Sequence, residues 1–214
     1  MNPLFVPLIV VAYLLGSIPF GLIIAKAHGK DLRSIGSGNI GSTNVGRALG
    51  KKWAYICFGF DVLKGFLPMQ IAILLLQKPP TVGDFWLWLC VACAAVFGHI
   101  FPVYIKFKGG KGIATSLGVM LGLFPYYTIC GVTSFIVWYI CLKIWKYVSL
   151  GSISGAIAFP VTLITAITVK DGWQFVNLWP LVVVSIAMSI LVILRHVENI
   201  KRLLEGSENK VTLK

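Results

Sequence analysis

Long apolar stretches constrain this chain more than any other feature of its sequence. They are separated by short polar connections, and one of them, residues 113–145, is unusually long. A helix needs about 20 predominantly apolar residues to cross a bilayer. Hydrophobic residues make up 57% of the chain and charged residues only 12%, whereas a soluble domain carries about 25% charged residues. The sequence therefore predicts an all-α, polytopic membrane bundle without a soluble domain.

We predict seven transmembrane helices in a single membrane domain over residues 1–214. The stretch 113–145 is divided into two short spans because a Phe-Pro-Tyr-Tyr sequence at residues 124–127 interrupts it, and proline disrupts a helix interior. The predicted spans are about 4–27, 53–77, 85–105, 113–127, 128–145, 153–169 and 177–195.

Basic residues are unevenly distributed between the two sides of this predicted bundle. With seven spans, the 19 Lys and Arg residues all lie on one side except Lys64, inside a span, and Lys78 and Lys170 in opposite connections. Loops rich in Lys and Arg stay in the cytoplasm, so we expect the N-terminus outside and the C-terminus in the cytoplasm. The net charge of +12 then fits a lipid bilayer and anionic ligands, and we expect no nucleic-acid partner.

The connection between the first two spans, residues 28–52, is polar and is called the first loop. Its centre, GSGNIGSTNVGR at residues 36–47, has no acidic residue. Glycines let backbone N–H groups converge on a ligand, and Arg47 adds a planar fork suited to phosphate or carboxylate. We interpret the stretch as an anion-binding loop, with a flexible polar turn as the alternative. The expected binding residues are Gly38, Asn39, Gly41, Thr43 and Asn44.

A second glycine-rich connection, KFKGGKG at residues 106–112, is called the second loop. Three lysines and three glycines in seven residues describe a phosphate cradle of backbone N–H groups and point charges. Both loops lie on the same predicted side of the membrane, so their signals reinforce each other. The expected binding residues are Lys106, Lys108, Gly109, Gly110, Lys111 and Gly112.

The sequence patterns of cofactor and metal sites do not fit this chain. Gly36, Gly38 and Gly41 match G-x-G-x-x-G, but an apolar span precedes them instead of a strand. The seven acidic residues form no ligand cluster. Cys90 and Cys93 have C-x-x-C spacing inside a predicted span, where small apolar packing residues are expected. We therefore expect neither a cofactor nor a metal.

Among the polar residues inside the predicted spans, Asp61, Lys64 and His99 are the ones whose burial needs an explanation. Asp61 and Lys64 are three residues apart and share a helix face. Charge inside a bilayer is costly and is usually paired or functional, so we expect a structural ion pair facing the bundle rather than a catalytic pair. His99, near the end of the third span, is expected to be a hydrogen-bonded packing residue rather than a ligand.

The polar tail begins with Arg-His-Val-Glu-Asn at residues 195–199. If the last helix continues, His196 and Asn199 share one face, as do Arg195 and Asn199, while Glu198 points elsewhere. A histidine can act as a base or as a donor to an oxyanion. The alternative is a helix end that interacts with lipid headgroups, and this segment alone does not decide between them.

Three segments resemble the signature motifs of the PlsY family of bacterial membrane glycerol-3-phosphate acyltransferases: GSGNIGSTNVGRALG, FKGGKGIATSLG and RHVENIKRLLEGSE. The spans, the YVSL segment containing Ser149 and the basic tail fit the family over essentially the whole chain. The resemblance implies transfer of a fatty acyl group from acyl-phosphate to the 1-hydroxyl of glycerol 3-phosphate, giving lysophosphatidic acid and phosphate in the bacterial cytoplasmic membrane. It implies no acyl-CoA or acyl-carrier-protein donor, and a soluble partner enzyme that supplies acyl-phosphate.

The resemblance also implies roles for single residues. Ser37 and Arg47 are implied to be the important residues of the first motif, and His196 and Asn199 those of the third, with Glu198 supporting the structure. The second motif, with its three glycines and Lys111, is implied to bind glycerol phosphate. Further substrate-binding residues are expected at Ser149 and Arg195.

Two questions stay open at the level of sequence. The proton of the attacking hydroxyl has two candidate acceptors, His196 and a substrate phosphate, of which we favour the phosphate. The rival functional class is a polytopic anion transporter. Transporters usually bind near the bilayer midplane and often have repeated halves, whereas this chain concentrates its polar residues in loops and shows no repeat.

Overall fold

The computed structural model describes residues 2–210. Within them the chain forms ten α-helices, one 3₁₀ turn at Val103–Ile105, and no strand, which confirms the predicted all-α class. The helices are α1 (Phe5–Gly16), α2 (Phe20–Ala27), α3 (Ser42–Leu49), α4 (Lys51–Leu75), α5 (Val82–Ile100), α6 (Ile113–Gly122), α7 (Tyr126–Trp145), α8 (Val148–Val169), α9 (Phe175–Leu194) and α10 (Val197–Leu204).

Six helical segments among the described residues are long and apolar enough to cross a membrane: Phe5–Ala27, Lys51–Leu75, Val82–Ile105, Tyr126–Trp145, Val148–Val169 and Phe175–Leu194. They correspond to six of the seven predicted spans. The seventh, predicted at 113–127, is the 10-residue apolar helix α6, which is about 15 Å long against a hydrocarbon core of about 30 Å. The break predicted near Pro125 is confirmed, since α6 ends at Gly122 and α7 begins at Tyr126.

The chain folds into two compact units, Met1–Gly122 and Leu123–Lys214. In the first unit, the predicted first span is two helices, because Pro19 follows Ser17 and Ile18 at the break between α1 and α2. Helix α1 packs closely on α5: a Cβ at Gly16 or Gly98 would overlap the facing backbone. Small residues at such a contact let membrane helices approach each other, and here they fix the end of α5 beside α1.

A capping box starts α5. The hydroxyl of Thr81 accepts a hydrogen bond from the Asp84 N–H (3.2 Å), and the Asp84 carboxylate accepts from the Thr81 N–H (2.9 Å). These bonds satisfy backbone donors at a helix end that has no intrahelical partners for them. The helix therefore begins three residues before the span predicted at 85–105 and carries His99 to its last turn.

The second unit is built on α7, α8 and α9. The Tyr127 hydroxyl of α7 donates to the Leu181 carbonyl of α9 (2.6 Å), and its ring packs edge-on against Phe159 of α8 with 4.9 Å between centroids. Helix α8 begins at Val148, earlier than the predicted 153–169, because the segment taken as a connection is already helical. This places Ser149 in the first turn of α8.

Candidate active site

Buried apolar side chains anchor the first loop. Leu32, Ile40 and Val45 are buried among residues of α2 and α4. Exposed polar residues, among them Ser37 and Arg47, lie elsewhere along the same stretch, so the loop has a buried apolar side and a polar outer surface. The cluster also includes Ile24, Ala25 and Cys57. A polar turn without such anchors would have no fixed shape, so this packing argues against the flexible-turn alternative.

Asn44 holds the first loop together from inside. It is buried, its Nδ2 donates to the carbonyls of Leu32 and Ile35 (3.0 Å each), and its Oδ1 accepts from the N–H of Ser37 (3.1 Å). Each polar atom of the side chain is thus engaged within the loop, as a buried amide requires. Asn44 therefore fixes the backbone that presents Ser37.

Arg47 lies beside the same turn. Gly36 adopts a left-handed φ of +57°, a conformation that favours glycine. A Cβ at Gly36 would lie 3.1 Å from the Cδ of Arg47, so the arginine stem packs on the turn that carries Ser37. Both Ser37 and Arg47 are exposed, so the first loop presents a hydroxyl and a guanidinium at its surface.

The other predicted residues of the first loop flank this pair. The Oδ1 of Asn39 accepts a hydrogen bond from the N–H of Gly41 (2.9 Å), in a turn that leads into α3. Thr43 is exposed on the first turn of α3. Gly38 has a left-handed φ of +66°. The amide groups in this part of the loop therefore stabilise the turn, while hydroxyl groups lie at its surface.

The second loop folds back onto the end of α5. The N–H of Gly109 donates to the carbonyl of Ile100 (3.2 Å), and the N–H of Gly110 donates to the carbonyl of His99 (3.1 Å). Both groups, which the sequence suggested as phosphate donors, are engaged inside the protein. The side chains of Lys106 and Lys108 are exposed and supply the positive charge of the loop, together with the half-buried Lys111.

Arg33 connects the two loops within the first unit. Its Nη2 donates to the carbonyl of Lys108 at 2.9 Å, across 75 residues of sequence. Sequence analysis missed this residue because it precedes the glycine-rich stretch and looks like one more surface charge. This contact brings the first and second loops next to each other.

The buried pair predicted in α4 is present. The Nζ of Lys64 lies 2.8 Å from Oδ1 of Asp61, and both side chains are almost fully buried. Lys64 also donates to the carbonyl of Ile18 (2.9 Å), at the break between α1 and α2. The predicted structural ion pair is therefore confirmed, and one of its functions is to satisfy backbone exposed by that break.

In the second unit, three side chains converge on the carboxylate of Glu208. Ser149 Oγ (2.7 Å) and Asn199 Nδ2 (2.6 Å) donate to its Oε1, and Arg202 Nε donates to its Oε2 (2.8 Å). The chain returns to this position because Gly206, just after α10, has a left-handed φ of +72°. Glu208 therefore ties the start of α8 to α10.

The structural role implied for Glu198 belongs to Glu208 instead. The Glu198 side chain is 73% exposed and pairs with Lys201 at 3.5 Å, on the surface of α10, where an ion pair contributes little. Glu208, ten residues later in the same motif, holds the tail. Burial alone would raise the pKa of Glu208, but hydrogen bonds from Ser149, Asn199 and Arg202 outweigh burial and lower the pKa below its ordinary value.

Acid is expected to weaken the second unit through Glu208. Because the folded state keeps this carboxyl ionised where the unfolded chain binds a proton, its contribution is complete above the ordinary glutamate pKa of about 4.3. That contribution is lost as pH falls through the lower pKa of the folded state. Melting curves from pH 7 to 3 should show wild-type protein losing more stability than Glu208→Gln. If the melting temperatures of the two proteins fell by the same amount between pH 7 and 3, this role of Glu208 would be contradicted.

His196 lies at the turn between α9 and α10. The condition stated for the sequence, that the last helix continues through His196 to Asn199, is therefore not met. Its ring is 2% exposed, and Nδ1 lies 2.7 Å from the carbonyl oxygen of Val192. A carbonyl oxygen only accepts hydrogen bonds, so Nδ1 carries the proton in this contact. Nε2 is then the nitrogen whose protonation can change during a reaction.

The predicted site residues thus fall into two groups, one in each unit. The first unit brings together Ser37, Asn44 and Arg47 and joins their loop to the second loop. The second unit brings Ser149 and Asn199 onto one carboxylate, with Arg195 half-buried at the start of the turn. No cluster of three or more His, Cys, Asp or Glu residues suited to a metal ion occurs within residues 2–210.

Comparisons with known proteins identify the family of this chain. The family model of glycerol-3-phosphate acyltransferases matches residues 6–206. Glycerol-3-phosphate acyltransferases of Aquifex aeolicus and Geotalea daltonii are 45% and 43% identical, over 95% and 94% of this chain and 97% and 95% of theirs.

A crystal structure of PlsY, an integral membrane glycerol 3-phosphate acyltransferase, in its glycerol 3-phosphate form is also similar. It has a TM-score of 0.83 and 42% identity, over 97% of this chain and 96% of that one. A lysophosphatidic acid form matches with a TM-score of 0.79 and 42% identity, over 97% of this chain and 95% of that one. The protein is therefore an integral membrane acyltransferase rather than an anion transporter, and it belongs to the glycerol-3-phosphate acyltransferase family.

Proposed function

We propose that the protein transfers a fatty acyl group from acyl-phosphate to the 1-hydroxyl of glycerol 3-phosphate, giving lysophosphatidic acid and inorganic phosphate. The observation that carries the proposal is the pair of basic loops joined by the hydrogen bond from Arg33 to Lys108, since both proposed substrates carry a phosphate. The solved relatives in glycerol 3-phosphate and lysophosphatidic acid forms support the acceptor and the product. A soluble enzyme that generates acyl-phosphate is the partner this donor requires.

The proposed reaction is a direct acyl transfer. The hydroxyl oxygen of glycerol 3-phosphate forms a bond to the acyl carbon, and the bond from that carbon to the phosphate oxygen breaks. The hydroxyl proton ends on the released phosphate. Because acyl-phosphate is already an activated mixed anhydride, the protein chiefly has to position the reactants and neutralise the charge that develops on the leaving phosphate.

We assign roles on this basis. Arg47, with Ser37 beside it, binds the phosphate on which negative charge develops, because a guanidinium can donate two parallel hydrogen bonds to it. The lysines of the second loop bind the phosphate of glycerol 3-phosphate. His196 and Asn199 orient the hydroxyl, and the Nε2 of His196 accepts its hydrogen bond. The substrate phosphate remains the favoured final proton acceptor.

Product analysis tests this proposal. Purified protein in nanodiscs is incubated with acyl-phosphate and glycerol 3-phosphate, and lysophosphatidic acid and phosphate are measured together. We expect equal amounts of both products, and no acylated product when glycerol replaces glycerol 3-phosphate. Accumulation of glycerol 3-phosphate inside proteoliposomes without any acylated product would instead indicate transport.

Arg33 provides a test of the link between the two loops. Arg33→Ala removes the donor to the Lys108 carbonyl, and a charge-assisted hydrogen bond at an exposed position contributes on the order of 1 kcal/mol. We expect the KM for glycerol 3-phosphate to rise about fivefold, with little change in kcat. Lys30→Ala, which removes a charge from the same loop, is the matched control. Equal effects of the two substitutions would indicate that only net charge matters.

Orientation in the bacterial cytoplasmic membrane is a further part of the proposal. The charge asymmetry favours an outside N-terminus and a cytoplasmic tail. This orientation requires the chain to change sides within residues 113–125 as well as along α7, although α6 is only 10 residues long. A cysteine introduced at Gly83 should react with a membrane-impermeant thiol reagent added outside intact cells. A cysteine introduced at Ser207 should react only after permeabilisation, once the labelling of the five native cysteines in the wild-type protein is subtracted as background. Labelling of Ser207→Cys in intact cells would overturn this orientation.

A further inference from the structure

A chain of buried polar side chains runs from α4 to the end of α5 in the first unit. Asp61 is 2% exposed, and Lys64 and His99 are each 5% exposed. The Oδ1 of Asp61 lies 2.8 Å from Lys64 Nζ and 3.6 Å from His99 Nδ1. At 3.6 Å the contact of Asp61 with His99 is a close electrostatic contact rather than a hydrogen bond. The Asp61–Lys64 pair therefore packs beside the His99 ring and favours the orientation in which Nδ1 faces the carboxylate.

The other side of the His99 ring meets the second loop. A Cβ built on Gly110 would overlap Nε2 of His99, with the other ring atoms next nearest. The backbone carbonyl of His99 accepts the N–H of Gly110 as well. Gly110 thus packs against the ring of His99 and donates a hydrogen bond to its backbone. The absence of a side chain at Gly110 is explained by this ring rather than by an approaching anion.

The second loop needs such a support because of its own backbone. Lys106 and Phe107 have left-handed φ values of 55° and 59°, which residues with a Cβ adopt only when surrounding structure imposes them. The glycine that follows, Gly109, is also closely packed, since a Cβ there would overlap the His99 carbonyl. A loop of this shape is stable only if its base is fixed.

We infer that His99, oriented by the Asp61–Lys64 pair, is a positioning residue for the second loop and sets the affinity of that loop for the phosphate of glycerol 3-phosphate. The inference rests on the proposed function, because it takes the second loop as the element that binds the acceptor. His99 acts through Gly110 and the loop backbone and makes no contact with the reacting atoms. The pair also has a structural role through the bond from Lys64 to the Ile18 carbonyl, so the test has to separate folding from substrate affinity.

Three variants test the contact between His99 and Gly110. Gly110→Ala should raise the KM for glycerol 3-phosphate about tenfold or more, because the added methyl overlaps a packed ring, while the KM for acyl-phosphate stays within about twofold. His99→Ala should raise the same KM. In His99→Ala/Gly110→Ala, the space left by the ring accepts the methyl, so the KM should stay within about threefold of His99→Ala alone. Gly59→Ala, whose Cβ meets nothing within 4 Å, is the control.

If the KM increase of the double variant equals the product of the two single increases, the inference is overturned. The methyl group at position 110 would then interfere with the bound anion directly and not through the His99 ring. A fourth variant, Asp61→Leu/Lys64→Met, removes both buried charges together. We expect it to fold with a lower melting temperature, because the Ile18 carbonyl loses its Lys64 donor, and to bind glycerol 3-phosphate several-fold more weakly than wild-type protein at a temperature where both are folded. Wild-type affinity in this folded variant would show that the pair is structural only. If this variant does not fold, the non-additivity of the His99 and Gly110 substitutions decides.

Failure of this inference can be told apart from failure of the proposed function. Binding of glycerol 3-phosphate is measured by calorimetry on wild-type protein in nanodiscs without any acyl donor. If wild-type protein does not bind it, the proposed acceptor is wrong. If wild-type protein binds it and the His99 and Gly110 variants bind it equally well, only the positioning role of His99 is wrong.

Discussion

Arg47→Lys is expected to lower kcat by roughly 10²-fold or more, although the positive charge is retained. The stem of Arg47 packs on Gly36, next to Ser37, so the exposed guanidinium starts from the turn that carries Ser37. An ammonium group offers a point charge and cannot donate two parallel hydrogen bonds to one phosphate. Loss of a single oriented donor at a developing negative charge typically costs about 10²–10³-fold in kcat.

Steady-state kinetics with both substrates varied is the measurement for Arg47→Lys. The loss should fall mainly on kcat, because the leaving phosphate gains charge as the acyl bond breaks. Lys30→Ala serves again as the control for net charge in the first loop. If Arg47→Lys keeps wild-type kcat and only raises a KM, Arg47 binds a substrate phosphate equally in the ground and transition states.

His196→Ala is expected to have an effect of similar or greater size. The ring is buried, and its Nδ1–H donates to the Val192 carbonyl, so alanine removes the Nε2 acceptor and leaves that carbonyl without this donor. We expect kcat to fall by roughly 10²–10⁴-fold, the range for a positioned acid–base group. Melting curves are needed alongside, because the same substitution disturbs the turn between α9 and α10.

Two amide variants separate the functions of the His196 ring. The amide of His196→Asn can still donate towards the Val192 carbonyl, whereas the amide of His196→Gln reaches towards the place of Nε2. The test is the dependence of kcat on pH. If the substrate phosphate accepts the proton, His196→Gln should retain measurable activity, and its kcat should fall at low pH in the same way as that of wild-type protein. If His196 is the base, both variants should lose this fall at low pH together with nearly all activity.

The sequence predicted the helical membrane architecture well because spans are recognisable from apolar length alone. It could not predict that α6 is only 10 residues long, since residues 113–127 remain apolar after the helix ends. It also missed the early start of α8, because a Lys-Tyr-Val-Ser segment is polar enough to look like a connection. Polarity marks where a chain meets water, whereas helix ends depend on local packing and capping.

Site residues were predicted by type, but not by what each one contacts. Glycine at position 110 was expected from ligand binding, whereas the His99 ring occupies the place of its side chain. Asn44 was expected to face a substrate, and its amide instead holds the first loop. Glu208 was missed because its partner Ser149 lies 59 residues away in the sequence, although Gly206 was a signal that the chain reverses there.

The most direct measurement of the central claim is a comparison of acyl donors with purified protein. Acyl-phosphate, acyl-CoA and acyl-carrier protein carrying the same acyl chain are each supplied with glycerol 3-phosphate, and lysophosphatidic acid is quantified by mass spectrometry. The proposed chemistry predicts turnover with acyl-phosphate only, with one phosphate released for each product molecule. Turnover with acyl-CoA or acyl-carrier protein and none with acyl-phosphate would contradict it.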